Sequence, residues 1–368
     1  MICPHCQQEH PDGAGFCPTT GQPIQALAPA AVVVAAGVVK HSYPLAIPQA
    51  TLGTSIGLLM KTLPYAGMRF AVNLAVTIAT IVVWVIALGG AAYLGTKVAP
   101  AVGWIWAIAW LVAFGFFWRL FVRYMLYLIK CGHIAVLTEL ITKGQIGNGS
   151  EGMFAYGKRI VTDRFKEVTG LFVVDALIKG VVRAFNRTLD FVASLLPVAA
   201  IQQMVALVQG VVSAATSYID ETIFSYGLAR EERNPWAYAR DGIVYYAQNS
   251  KEILKTAVWV VVIDAIFSFA VWLIMLAPAF AISHLMPKTM VLASLVAWVV
   301  AILLAASFRA AFLKPLFLIM IMTKFHMTIR DQPINAEWEA RLESASAKFR
   351  QIRDHVLGTP AQAKEVSR

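Results

Sequence analysis

Four stretches of the chain are long, apolar and free of Asp, Glu, Lys and Arg. They lie at 70–94, 102–118, 265–285 and 289–308. A helix needs about 20 apolar residues to cross the hydrocarbon core of a bilayer, and only the second stretch is slightly shorter. The pattern predicts an all-α polytopic membrane protein with four to six membrane-crossing helices. Amphipathic helices, interfacial or re-entrant, complete the predicted domain.

Composition agrees with a membrane protein and changes how the net charge is interpreted. The 368 residues are 58% apolar and only 14% charged, and the formal net charge is +10. An ordinary soluble domain carries about 25% charged residues. A charge of +10 in a soluble protein would suggest nucleic acid as a partner. Here no basic patch accompanies a recognition module, so we expect the lipid bilayer as partner and no nucleic acid.

The basic residues lie between the apolar stretches and predict an orientation. Six of them fall within 130–167 and five within 230–255, whereas the predicted outer turns hold only Lys97 and Lys288. Loops rich in Lys and Arg stay in the cytosol. We therefore expect a multi-pass protein of the plasma membrane, the inner membrane of a bacterium, with both termini cytosolic. Segment 168–229 must then begin and end on the cytosolic side.

Three of the four cysteines stand close together at the N-terminus. The sequence has C-P-x-C at Cys3 and Cys6, and C-P-x-x-G from Cys17, and it resembles a degenerate zinc ribbon. Such ribbons hold zinc in a tetrahedron of four Cys or His ligands, and His10 is the fourth ligand that remains here. We expect one zinc per chain, and the alternative is a ribbon that no longer binds metal. Reduced thiols of this kind also favour a cytosolic N-terminus.

The pattern divides the chain into four parts. The zinc-ribbon-like module occupies 1–24, and an Ala, Val and Pro-rich linker follows over 25–53. The helical transmembrane domain covers 54–330. The cytosolic end, 331–368, contains an amphipathic helix over 335–356, whose apolar stripe could dock on the ribbon, the membrane or a neighbouring subunit.

Segment 174–190 has the pattern of an amphipathic helix rather than of a membrane span. Its charged residues lie in one arc of about 120° on a helical projection, and Ile178 and Val181 lie on the opposite, apolar face. Two arrangements are open: a hairpin that crosses the membrane and lines a polar path, or a helix in the cytosolic interface. The residues of the charged face are Asp175, Lys179, Arg183, Arg187 and Asp190.

One acidic residue lies inside a predicted span. Asp264 follows the start of the 254–284 span by about eight residues, which places it about 12 Å deep. Arg119 and Arg123 lie at a similar depth on the second span. Since an ionisable group at that depth needs a partner or water, we expect one of these arginines to pair with Asp264. The pair would either fasten two helices or contact a solute.

Two basic residues and a proline mark the end of the last span. Arg309 and Lys314 are expected to reach the headgroups with their long side chains. Pro315 is expected to kink or end that helix. No nucleotide-binding loop, zinc-protease motif or serine-hydrolase motif is present in the sequence, so we do not expect an enzyme.

The C-terminal third resembles a known family of membrane proteins. Residues 218–326 place Asn249 in a polar stretch before a span that carries Asp264, and a last long span runs from Phe308 to Phe325. On these positions the segment resembles the choline transporter-like proteins. That resemblance implies transport. As a whole, the chain also resembles uncharacterised bacterial membrane proteins with an N-terminal ribbon, which imply no function.

Two functions follow from these patterns. The first is a channel or transporter-like protein for a small polar or cationic solute, supported by the charges within the predicted spans. The alternative is a membrane scaffold or adaptor that does not transport. It would assemble as a homo-oligomer and bind a cytosolic protein partner through the zinc ribbon, and a continuous polar path along 174–190 would favour the first.

Overall fold

The computed structural model describes residues 43–164, Ile178, Val181, 210–284 and 293–357. Every regular element within these residues is helical. A short 3₁₀ turn at Gly147–Gly149 and a π turn at Arg309–Leu313 interrupt the α-helices, and a helical stretch at 210–216 precedes α5. The α-helices are α1 (Leu52–Lys61), α2 (Leu63–Lys97), α3 (Pro100–Lys143), α4 (Met153–Asp163), α5 (Ile219–Ala229), α6 (Pro235–Gln248), α7 (Ser250–His284), α8 (Ala293–Phe308), α9 (Lys314–Ile329), α10 (Ala336–Ala345) and α11 (Ala347–Leu357).

Four helical segments are long and apolar enough to cross a membrane, as the sequence predicted. They are Leu63–Lys97, Pro100–Lys143, Ser250–Ala281 and Trp298–Ile329, the last of which continues through the π turn. Large apolar side chains such as Val85, Trp104 and Phe269 are exposed on these helices. Exposed apolar area of this extent is unfavourable in water, so the exposed surface is suited to lipid.

The four segments form two helical hairpins. Helix α2 packs along α3, and α7 packs along α8, while α2 also contacts α8 and the π turn. The first hairpin is very close at Gly103, where an added Cβ would lie 2.6 Å from the carbonyl oxygen of Ala91 and 2.8 Å from Cα of Gly95. Small residues allow such close backbone contact between membrane helices. Only a glycine fits at Gly103.

Helix α3 extends well beyond the span that the sequence predicted. The sequence pattern placed the apolar stretch at 102–118, whereas the helix continues to Lys143 and has 44 residues. At 1.5 Å per residue it is about 66 Å long, so it leaves the membrane. From Cys131 to Thr142 all its residues are buried. They pack in a helical layer, which consists of α1, α4, α5, α6, α9, α10, α11 and the end of α3.

Pro315 does not end the last span, because a π turn precedes it. A proline inside an α-helix cannot donate to the carbonyl four residues earlier, here Ala311, and its ring would clash there. In the π turn, the N–H of Lys314 donates to the carbonyl of Arg309 instead. Pro315 thus lies in the first turn of α9. The N–H groups of a first turn have no carbonyl partner within the helix, so the N–H that proline lacks costs no hydrogen bond.

The C-terminal segment forms two helices instead of the predicted single one. Ser346, in extended conformation, separates α10 from α11, and Asn335 caps α10 by accepting from the N–H groups of Glu337 and Trp338. Phe349 and Ile352 of the apolar stripe are fully buried, and α11 packs on α6. The stripe is therefore covered by the chain's own helical layer.

Two residues of the predicted amphipathic helix are described. Ile178 and Val181 are helical and buried in the same hydrophobic core as α3 and α9. Both belong to the predicted apolar face, so that part of the face packs on protein. The five charged positions of the segment lie outside the described residues.

We predict that Gly103→Ala destabilises the first hairpin. The added methyl group meets backbone atoms, which cannot rotate away, and overpacking of this kind costs about 1–3 kcal/mol. The matched control is Gly89→Ala on the same hairpin, where an added Cβ has no atom within 4 Å. Denaturant unfolding in detergent micelles measures both variants, and equal stability of the two would contradict the packing at Gly103.

Candidate functional site

A cavity of about 1070 Å³ lies between the two hairpins. Helices α2 and α3 form one wall, α7 and the π turn form another, and the stretch from Gly210 to Glu221 borders it. On α2 its lining extends from Arg69 to Trp84, about 22 Å along the helix axis. That length is a large part of the roughly 30 Å hydrocarbon core. The cavity is therefore large enough for a small ligand at membrane depth.

One wall of the cavity is aromatic. Trp106, Trp110, Phe114 and Trp118 repeat every four residues along α3, and their consecutive ring centroids are 5.8, 5.1 and 5.1 Å apart. Phe114 and Trp118 reach the cavity. The indole N–H of Trp118 donates to the hydroxyl of Thr80 on α2 at 3.1 Å, which fixes the ring in the wall.

The lining of the cavity also carries many charges. Within the described residues the cavity is lined by five cationic and three carboxylate side chains, so positive charge predominates. The cations are Arg69, Arg123, Lys130, Arg309 and Lys314, and the carboxylates are Asp220, Glu221 and Asp264.

Asp264 is held by Arg309 in a two-point ion pair. The guanidinium donates from Nε to Oδ1 at 2.9 Å and from Nη2 to Oδ2 at 2.5 Å, and the Ser268 hydroxyl donates to Oδ1 at 3.1 Å. Arg309 begins the π turn, so the pair joins that turn to α7. Paired guanidinium donors match a carboxylate in geometry as well as in charge.

This partner differs from the predicted one. The sequence analysis paired Asp264 with Arg119 or Arg123 from depth alone. Arg123 lines the same cavity but does not bind Asp264, and the Arg119 side chain lies outside the described part of the structure. The depth of a residue in the membrane does not say which way its helix is rotated. The cation that faces Asp264 is Arg309, which follows α8, the hairpin partner of α7. Arg309 therefore binds a carboxylate.

Two adjacent carboxylates share one lysine at the edge of the helical layer. Lys130 Nζ lies 2.7 Å from Glu221 Oε1 and 3.6 Å from Asp220 Oδ2, and both acids are buried. Burial, and next the charge of Asp220, raise the pKa of Glu221 to about 8, although the Lys130 ammonium opposes the shift. Glu221 therefore holds a proton near neutral pH. Sequence reasoning missed this group, although two adjacent acids in the apolar context "SYIDETIF" were a signal.

Three cations of the lining have no carboxylate partner among the described residues. They are Arg69, Arg123 and Lys314. Arg69 has a hydrogen-bond contact with His133, with 3.2 Å between Nη1 and Nδ1. The His133 ring stacks on Tyr65 at 4.8 Å between centroids. These interactions orient Arg69 without neutralising its charge.

A buried chain of hydroxyl and imidazole groups lies elsewhere, in the helical layer. His326 interacts with the Tyr43 hydroxyl through Nδ1 and with Ser225 Oγ through Nε2, the latter at 2.8 Å. Ser225 in turn lies 2.7 Å from the Thr138 hydroxyl. Ser225 and His326 are fully buried, and none of the four lines the cavity. The chain ties the segment before α1 to α3, α5 and α9.

Other predicted site residues lie outside the described part of the chain. This holds for the zinc ligands Cys3, Cys6, Cys17 and His10, and for the charged face of 174–190. Within the described residues, no group of three or more His, Cys, Asp or Glu side chains is arranged to hold a metal. The zinc site and the polar face therefore stay sequence predictions.

Comparison with protein-family models, with curated proteins and with solved structures found no match to this chain. The resemblance to choline transporter-like proteins therefore stays a sequence prediction. In the structure, Asn249 donates from Nδ2 to the carbonyl of Tyr245 and to Oε1 of Gln332. It thus ends α6, while Asp264 and part of the Phe308–Phe325 segment line the cavity.

We predict that Asp264→Asn lowers the free energy of unfolding by about 1–3 kcal/mol, because it leaves the Arg309 guanidinium without its counter-charge. Adding Arg309→Gln should restore much of that loss. Unfolding in detergent micelles at fixed ionic strength measures the two single variants and the double variant.

The control for this prediction is Asp264→Asn combined with Arg123→Gln. Arg123 lies in the same cavity but does not bind Asp264, so we expect no recovery. Recovery with Arg123→Gln and none with Arg309→Gln would contradict the observed pairing.

We predict that stability falls as pH rises because of Glu221. Between the ordinary carboxyl pKa of 4.5 and about 8 only the folded state holds this proton. Unfolding then releases a proton, so rising pH favours unfolding over that range. Glu221→Gln, which stays neutral, should flatten the dependence. Melting temperatures from pH 5 to pH 9 test this, with exposed Glu337→Gln as control, and equal slopes for wild type and Glu221→Gln would contradict it.

Proposed function

We propose that the protein is a channel or transporter-like membrane protein that binds a small polar solute between its two helical hairpins. The observation that carries this proposal is the cavity of about 1070 Å³, which eight charged side chains line within the part of the chain that the structure describes. Charged groups within a membrane are costly and usually face water, a partner or a solute. A protein that only needed to hold its helices together would be expected to fill such a space with apolar side chains.

The distribution of partners within the cavity supports a binding role. Arg309 and Lys130 are fixed by carboxylates. Arg69, Arg123 and Lys314 are left to contact a ligand, beside the aromatic wall of Phe114 and Trp118. Such a mixture of apolar surface and a few directed polar groups is typical of ligand sites.

The π turn supplies a place where the cavity can change shape. Single π turns within α-helices are frequent at functional sites, and this one carries Arg309 and borders the cavity. Because its backbone bonds span five residues, α8 and α9 can reorient about it more easily than about a regular helix. We propose that this turn allows the hairpins to open and close around the solute.

We also propose that the helical layer faces the cytosol. The argument is the positive-inside rule applied to the basic residues of 130–167 and 230–255, and it places both termini on the same side. The alternative scaffold function was also supported by the amphipathic helix predicted over 335–356, whose apolar stripe was expected to dock on another surface. That support is weaker now, because the apolar stripe of α11 is buried on α6.

The test is a cavity-filling variant in proteoliposomes. Gly115 lines the cavity, and an added Cβ there has no atom within 4 Å, so Gly115→Leu is the substitution chosen to occupy part of the cavity. We expect wild-type protein to carry current on a solid-supported membrane with choline, phosphate or glutamate as probe. We expect Gly115→Leu to reduce that current about tenfold or more.

The matched control is Gly89→Leu. An added Cβ at Gly89 also has no atom within 4 Å, and Gly89 is not among the residues that line the cavity. The Gly89→Leu variant should transport as wild type does. Wild-type currents equal to those of protein-free liposomes with all three probes would refute the proposal. So would full transport by Gly115→Leu.

A further inference from the structure

We propose that the cavity binds a phosphate-bearing anion through Arg69, Arg123 and Lys314. The inference deepens the proposed function and rests on it, because it names the chemical class of the ligand at the same site. It also differs from the cationic solute that the sequence suggested. The shared chemistry is a phosphate group, whether free or in a lipid headgroup.

The first argument is the charge that remains after internal pairing. Lys130 lies against Asp220 and Glu221, and Arg309 holds Asp264. The three remaining cations have no carboxylate partner among the described residues. A cationic solute would therefore find each acid of this lining already engaged. The raised pKa of Glu221 increases the positive excess further near neutral pH.

The second argument is the convergence of like charges near the π turn. Arg69, Lys130 and Arg309 line the same cavity as Lys314, and the carboxylate of Asp264 on α7 is already bound by Arg309. Repulsion between cations is stronger at membrane depth than in water, because less solvent screens it. An anion placed among these groups relieves the repulsion, whereas a neutral solute does not.

The third argument concerns the geometry of the donors. Guanidinium groups bind phosphate oxygens in two-point contacts, and an ammonium adds a compact point charge. Two arginines and a lysine can together neutralise a group that carries one to two negative charges. Phosphate is such a group, and its several oxygens can accept from three side chains at once.

The adjoining aromatic wall indicates how a lipid could also occupy the site. Trp84, Phe114 and Trp118 line the same cavity and offer apolar surface next to the cations. A phospholipid could place its headgroup at Arg69, Arg123 and Lys314 and an acyl chain along this wall. Free phosphate would use the cations alone, so an experiment can separate the two sources.

The experiment measures binding to the purified full-length protein. Native mass spectrometry after delipidation follows titration with phosphatidylglycerol or phosphatidylcholine, and equilibrium dialysis follows radiolabelled inorganic phosphate. The test variant is Arg123→Gln with Lys314→Gln. The control is Lys61→Gln with Lys97→Gln, which removes the same charge from two residues outside the cavity lining. A thermal melt of each variant verifies that it is folded.

We expect the test variant to bind at least one phosphate probe about tenfold more weakly for each cation removed, while the control binds as wild type does. Loss confined to phosphatidylglycerol identifies a lipid headgroup, and loss of inorganic phosphate identifies a free anion. If the double variant does not fold, Arg123→Gln and Lys314→Gln are measured singly, with about a tenfold loss expected for each.

Three results would overturn the inference. They are no binding of phosphatidylglycerol or inorganic phosphate by wild type, equal binding of phosphatidylglycerol and phosphatidylcholine together with no binding of inorganic phosphate, and equal binding by the test and control variants. None of these measurements depends on transport. A protein that binds phosphate through these residues and carries no current would support this inference and refute the proposed function.

Discussion

The ion pair between Asp264 and Arg309 is the interaction on which the membrane part of the structure depends. A carboxylate on α7 cannot stay charged at membrane depth without a counter-charge, and the nearest cation belongs to the helix that follows in the same hairpin. The π turn that accommodates Pro315 begins at Arg309. Arg309 therefore takes part both in the backbone change that the proline requires and in the ion pair with Asp264. The pair joins α7 to the π turn within the second hairpin, and the cavity lies beside it.

The sequence predicted the membrane helices well because their signal is local. Four long apolar stretches indicated four spans, and each of them overlaps one of the four helical segments that are long and apolar enough to cross a membrane. The end of α3 was misplaced because the criterion for a span is apolarity, whereas residues 131–143 remain helical for a different reason, burial against α4 and α5. The tail was similarly recognised as amphipathic, but its partner α6 could not be found from periodicity.

The site was predicted less well because it depends on helix rotation. Asp264 was recognised from its depth, yet depth alone could not distinguish Arg309 from Arg123. Lys130 and Glu221 lie 91 positions apart, and Arg69 and Lys314 are separated by most of the chain. No spacing rule brings such residues together. The excess of positive charge among the described lining residues became visible only when the contributions of five helices and the π turn were brought together.

The length of α3 has a mechanical consequence. The same uninterrupted helix carries Lys130, which is bound to the two acids of α5, and Trp118, which stands in the cavity wall. These residues are twelve positions apart, or about 18 Å along the axis. A tilt of about 5° about Lys130 would therefore move Trp118 by about 1.6 Å. Because α3 is one continuous helix, the position of its buried end in the helical layer and the position of Trp118 in the cavity wall are linked by a single rigid element.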